Sequence, residues 1–398
     1  MALLSGTDAE RALAAAHDIG AALVAAPEVL ALDASVSRGK AGVAAFLVTL
    51  GNAEFADELL DAAIDEVAAG RVVTPGLYQG TVGVGWLLSR LDRRSPEPDP
   101  DDNDVDLLVT RLLAADAWPG HYDLIGGLAG LGTYALERLP RASARASLTR
   151  VVGHLATLAE ERDGGVTWRT TPDRYPAREG THPEGHYDVG FAHGVAGAVA
   201  LLANAARHDV PDAAPLAEGG ARWLLGTRYA EPGDDGAFPG VVGLDGERLP
   251  ARLAWCYGDP GVAVALLAAG RALGDDDLVE AARTTARGCA GRVEASGVND
   301  ASLCHGSAGL GHVFARLGTD LDDERVLDLA REWFCRALDG RREGEAFAGF
   351  PSYGMAPSGE WMLRAHAGLL EGAAGVGLAL LAAAAGDAWW DPFLLTTP

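Results

Sequence analysis

A Gly-x-x-Gly unit recurs seven times along this chain, and no other feature limits its fold so strongly. The first glycines are Gly39, Gly80, Gly127, Gly194, Gly258, Gly306 and Gly372. The second are Gly42, Gly83, Gly130, Gly197, Gly261, Gly309 and Gly375. An apolar run follows each unit, as at residues 43–47, 199–202 and 262–267. Runs with so little charge read as helices buried on nearly every side. Between them lie stretches richer in Arg, Asp and Glu, clearest at 54–69, 142–158 and 277–290. Their apolar residues recur at three and four, the period of an amphipathic helix.

Successive units are roughly 40 to 70 residues apart, room for two helices and their loops. An array whose inner helices are almost wholly apolar must close on itself or cap its ends. The pattern therefore predicts an all-α chain: an α/α toroid, or barrel, of seven inner helices ringed by seven outer ones. The glycines belong at the inner-helix starts, where they permit tight turns and close packing. The repeat runs from about residue 38 to 384 without a Pro/Ser linker, so residues 1–398 read as a single domain. The stretches 163–189 and 231–249 are rich in Gly, Pro, Thr and Arg. They read as loops or hairpins roofing the mouth of the cavity and contacting a peptide. The acidic run 95–106 reads as an exposed loop.

Residues at one phase of a closed ring converge on one end of it. The position before each first glycine holds Arg38, Gln79, Gly126, His193, Tyr257, His305 and Glu371. Six of these seven are polar beside apolar helices, which marks a place for an active site. One position earlier stand Cys256 and Cys304. Two thiolates and an imidazole are soft ligands that suit zinc, and three protein ligands leave a fourth position for substrate. A helix N-terminus also favours a thiolate. Cys256, Cys304 and His305 are therefore the expected ligands of one Zn²⁺. His193 shares the phase of His305 and is set above its plainer reading as a capping group.

Other conspicuous residues take ordinary readings. His182 and His186 fall in a Pro/Gly loop and read as exposed histidines rather than a second metal site. Cys289 and Cys335 read as structural thiols, since four cysteines make no disulfide framework in a chain this long. His366 and Glu371 read as packing and capping groups, with lining of the cavity as the alternative for Glu371. No lysine follows the glycine units, so they are not phosphate loops. The net charge of −24, with Lys40 the sole lysine, excludes a nucleic-acid surface. Such charge would draw basic peptides, though solubility accounts for it as well. Asp8 and Glu10 fall where a signal peptide would be apolar. The longest apolar run, 373–385, is too short for a transmembrane segment. A cytoplasmic protein is expected.

The segments WCYGDPG at 255–261, CHGSAG at 304–309, GFAHGVAG at 190–197, YDLIGGLAG at 122–130 and LLEGAAG at 369–375 resemble the lanthionine synthetase C-like family. The resemblance covers the whole repeat array. It implies an α/α toroid with one zinc held by Cys256, Cys304 and His305. It implies an acid/base role for His193, and cavity roles for Asp123, Arg252 and Tyr257. By residue type alone Asp123 reads as a helix cap and Arg252 as a clamp on Trp255. The family's biosynthetic members close (methyl)lanthionine rings by adding precursor-peptide cysteines to dehydroalanine or dehydrobutyrine. The resemblance thus implies two partners, a dehydrated precursor peptide and a separate dehydratase. Two alternatives stand beside this reading. One is a stand-alone member that adds glutathione or another thiol to dehydroamino acids; the other is a non-catalytic scaffold subunit.

Overall fold

A computed structural model describes residues 2–396 except 73, 95–100, 176–181, 232, 234, 235, 295 and 356–358. Seven helices begin directly after the first glycine of a unit: α2 (Lys40–Leu50), α4 (Thr81–Asp92), α6 (Leu128–Arg138), α8 (Val195–Ala206), α10 (Asp259–Leu273), α12 (Ser307–Leu321) and α14 (Ala373–Ala385). Seven others alternate with them: α1 (Gly6–Val24), α3 (Ala53–Ala68), α5 (Asp104–Leu113), α7 (Ala142–Leu158), α9 (Ala213–Gly226), α11 (Asp276–Gly288) and α13 (Glu324–Asp339). The first set is buried nearly throughout; in α14 every residue from Ala373 to Ala383 is buried. The second set buries one stripe each, as α3 does with Ala56, Leu59, Leu60 and Ala63. Each leucine so buried contributes about 1.5–3 kcal/mol.

The glycines serve close approach. A methyl group on Gly194 would overlap the carbonyl oxygen of Asp188, and one on Gly197 would overlap that of Phe191. The turn before each inner helix thus lies directly on the helix's first residues. Gly258 adds a conformational demand, with φ at 111°, where L side chains are strained. The same turn carries a second repeated feature. Six residues before the first glycine, a side chain folds back to accept an N–H two residues on. Asp33 Oδ1 takes that of Ser35, His121 Nδ1 that of Asp123, Asp188 Oδ1 that of Gly190, Asp300 Oδ1 that of Ser302, and His366 Nδ1 that of Gly368.

The chain forms two compact units, residues 1–87 with 297–389, and residues 88–296 with 390–398. In the first, α14 packs against α12, α1 and α2, α3 lies on α2, and α13 on α12. The turns are bonded in sequence. Cys304 N–H donates to Leu370 O at 2.8 Å, Leu370 N–H to Ser37 O at 2.9 Å, and Ser37 N–H to Tyr78 O at 2.9 Å. The last repeat is thereby joined to the first, as a closed ring requires. A hairpin of β6 (Ser352–Met355) and β7 (Trp361–Arg364) precedes α14.

In the second unit α8 packs against α6 and α10, with α7 on α6, α9 on α8 and α11 on α10. Leu124 N–H donates to Ala192 O at 3.1 Å, and Phe191 N–H to Cys256 O at 2.8 Å. Five strands, β1 (Ala159–Arg162), β2 (Gly165–Thr170), β3 (His186–Asp188), β4 (Val241–Gly243) and β5 (Arg248–Leu249), pair antiparallel in chain order. Four of them, β2 to β5, lie within the two stretches expected to hold loops or hairpins, and β1 precedes the first. The acidic run departs from its reading. Residues 95–100 lie outside the described residues, while Asn103 and Asp106 form a capping box that starts α5. Asp106 is buried, bound by Arg138 Nε and by the Tyr134 hydroxyl, both at 2.9 Å. A run of charge concealed a helix cap and a buried ion pair. Among the described residues, no helix is long and apolar enough to cross a membrane.

Candidate active site

Cys256 and Cys304 lie on the turns whose backbones are tied between repeats. Cys256 O accepts from Phe191 and Ala192, and Cys304 N–H donates to Leu370 O. Both thiols are buried. Cys256, Cys304 and His305 form a Cys-Cys-His cluster, with one candidate ligand atom from each within 4.8 Å of the others. It is the one such cluster among the described residues. The donor set is sulfur and nitrogen, which fits zinc and not the all-oxygen preference of calcium or magnesium. Asp300 Oδ2 stands 3.8 Å from His305 Nε2 and also accepts the Tyr353 N–H at 2.8 Å.

His193 precedes α8, and its side chain is 21% exposed. Its Nδ1 lies 2.7 Å from Asp123 Oδ2. Asp123 is buried and tightly held, with its Oδ1 accepting the Gly126 N–H at 3.1 Å. His121 lies on its other flank, with Nδ1 3.6 Å from Asp123 Oδ1. Burial alone would raise the pKa of Asp123. The hydrogen bonds and charges of His121 and His193 outweigh it and hold the carboxyl well below the usual carboxylate range. Burial alone would lower the pKa of His193. The bond to Asp123, with the charges of Asp123, Asp188 and Cys256, outweighs that and raises it above the ordinary histidine value. Asp123 thus holds the imidazole through Nδ1 and favours its charged form. Tyr175 lies over the ring at 5.0 Å between centroids, its hydroxyl 3.5 Å from Nε2.

Tyr257 points its hydroxyl at Asp188 Oδ2, 2.7 Å away, and its ring centre is 6.2 Å from that of His193. Arg252 is partly buried, and no hydrogen bond or ion pair joins its guanidinium to another described residue. The Trp255 indole N–H donates to Leu394 O at 3.2 Å. His182 and His186 have ring centres 4.9 Å apart. His186 is 2% exposed on β3, so it is a sheet residue and not an exposed loop histidine.

Sequence reasoning did not single out His121, Asp188, Asp300 or Tyr175 for the site. The first three share the position six residues before a glycine unit, so the repeat itself carried a signal. Tyr175 lies in the segment after β2, outside the repeat, and had none.

Residues 31–395 match the family described as lanthionine synthetase C-like protein. The chain is 23% identical over 306 residues to the nisin biosynthesis protein NisC of Lactococcus lactis subsp. lactis, covering 70% of this chain and 72% of that protein. A solved structure of nisin cyclase aligns with a TM-score of 0.76 over 96% of this chain and 97% of its own, at 19% identity. At that identity the likeness shows the fold, the α/α toroid expected from the seven repeats.

Proposed function

The chain belongs to the lanthionine synthetase C-like family, and from that premise we propose that it is a zinc-dependent lanthipeptide cyclase. Its substrate is a precursor peptide in which a separate dehydratase has converted Ser and Thr to dehydroalanine and dehydrobutyrine. The enzyme adds a cysteine thiol of the same peptide across such a double bond, in the cytoplasm, where free thiols persist. The observation that carries this reading is the buried Cys-Cys-His cluster in a chain of this family. Cys256, Cys304 and His305 would hold the ion. Zinc, when bound, supplies Lewis acidity that keeps a thiol deprotonated at neutral pH.

The chain's own residues account for the rest of the reaction. The substrate sulfur forms a bond to the β-carbon while the C=C π pair moves toward the α-carbon, leaving an enolate. His193 Nε2 delivers a proton to that α-carbon, and the proton given up by the thiol restores the imidazolium through solvent. Asp123, hydrogen-bonded to Nδ1, orients the ring and stabilises its charged form. The Arg252 guanidinium stabilises the enolate oxygen or holds a peptide carbonyl. Tyr257 hydrogen-bonds the substrate. Thioether closure moves no atoms in or out, so the product has the mass of the substrate and one free thiol fewer. Incubation with a dehydrated, cysteine-containing peptide should therefore abolish alkylation by a thiol reagent at constant mass, and Cys304→Ala should prevent this. Persistence of the free thiol with the wild-type, zinc-loaded protein would count against the cyclase.

A further inference from the structure

Asp188 is a buried carboxylate whose charge helps raise the His193 pKa and which has no other part in the reaction above. It ends β3 and is 0% exposed. Its two oxygens face different partners, and Oδ2 also lies 3.9 Å from His186 Nε2. Oδ1 accepts the Gly190 N–H at 2.8 Å, the turn bond that Asp33, His121, Asp300 and His366 make in their own repeats. That bond needs a single acceptor, and His121 and His366 supply it with a ring nitrogen. Oδ2 instead accepts the Tyr257 hydroxyl at 2.7 Å. Burying a whole carboxylate is unfavourable unless both oxygens are satisfied, so the fold alone does not ask for aspartate here. A phenol has one proton. With that proton given to Asp188, the Tyr257 oxygen can only accept in any further hydrogen bond. Tyr257 directly follows Cys256, and its ring lies 6.2 Å from that of His193. An acceptor so placed recognises a donor on the reactant, and a dehydrated peptide offers backbone N–H groups.

Resting on the cyclase reading, we propose that Asp188 is a positioning residue that fixes Tyr257 as a hydrogen-bond acceptor for a backbone N–H of the dehydrated peptide. Asp188→Asn is the informative change. It keeps a carbonyl oxygen for the Gly190 N–H and replaces the other oxygen by an NH₂ donor, which reverses the bond to Tyr257. The probe is a dehydrated, cysteine-containing peptide, with kcat and KM read from thiol loss. Asp188→Asn should keep the wild-type Tm and zinc content yet lower kcat/KM about tenfold, the scale of one positioned hydrogen bond. Tyr257→Phe should lose a similar factor, and the double variant should be no worse than either single one, since both remove one interaction. Wild-type kcat/KM in Asp188→Asn, or losses that multiply in the double variant, overturns the proposal. If Asp188→Asn fails to fold, wild-type kcat/KM in Tyr257→Phe overturns it alone. Cys304→Ala and His193→Asn are measured alongside. Full activity in both sinks the cyclase reading and this proposal with it; loss in both with no change in Asp188→Asn sinks only the role of Asp188.

Discussion

His193 and Asp123 come from turns 70 residues apart and meet at 2.7 Å, and their pairing sets the pH behaviour of the site. A raised pKa means that the imidazolium persists to higher pH than an ordinary histidine's would. Activity that needs this acid should then fall on the alkaline side of ordinary histidine titration. Asp123→Asn withdraws the charge and the hydrogen bond that raise the pKa. The basic limb of the kcat/KM profile should move to lower pH, with a loss at neutral pH of about 10²–10⁴. An unmoved limb would remove Asp123 from the acid–base pair. The repeat pointed to Cys256, Cys304, His305 and His193 because the two histidines share one phase and the two cysteines share the position before it. Asp123 was legible only through family resemblance, being out of phase with its partner. Asp188 and Asp300 sit at a repeated polar position, but the second task of each carboxylate, toward Tyr257 or His305, depends on geometry that spacing does not encode.

Helices were readable where their period was long and their burial one-sided. Residues 142–158 are α7 as read, and 277–290 became α11 at Asp276–Gly288. The strands were read only as loops or hairpins, since runs of two to six residues leave too little period to separate the two. The glycine units carry a stability prediction of their own. Gly197→Ala places a methyl group against the Phe191 carbonyl oxygen, and thermal unfolding should register a loss of about 1–3 kcal/mol. Gly153→Ala, on the exposed face of α7 with nothing within 4 Å of the added carbon, should instead stabilise by about 0.5–1 kcal/mol. Equal effects at the two sites would mean that close approach is not what the repeated glycines serve.

At the scale of the whole molecule, seven repeats and their apolar inner helices predicted closure, and the bond from Leu370 N–H to Ser37 O joins the last repeat to the first. The two cysteines stand at the position that makes these repeat-to-repeat bonds, so an ion held there links turns of separate repeats. Chelation should accordingly lower Tm as well as activity, because an ion bound only by the native state stabilises it, and added zinc should restore both. An unchanged Tm after complete zinc removal would detach the metal from the fold. The most direct test of the account is zinc content per chain, measured by elemental analysis on folded protein. The account predicts about one zinc in the wild type and a large loss in both Cys256→Ala and Cys304→Ala; a metal-free wild type, or variants that keep full occupancy, would contradict it.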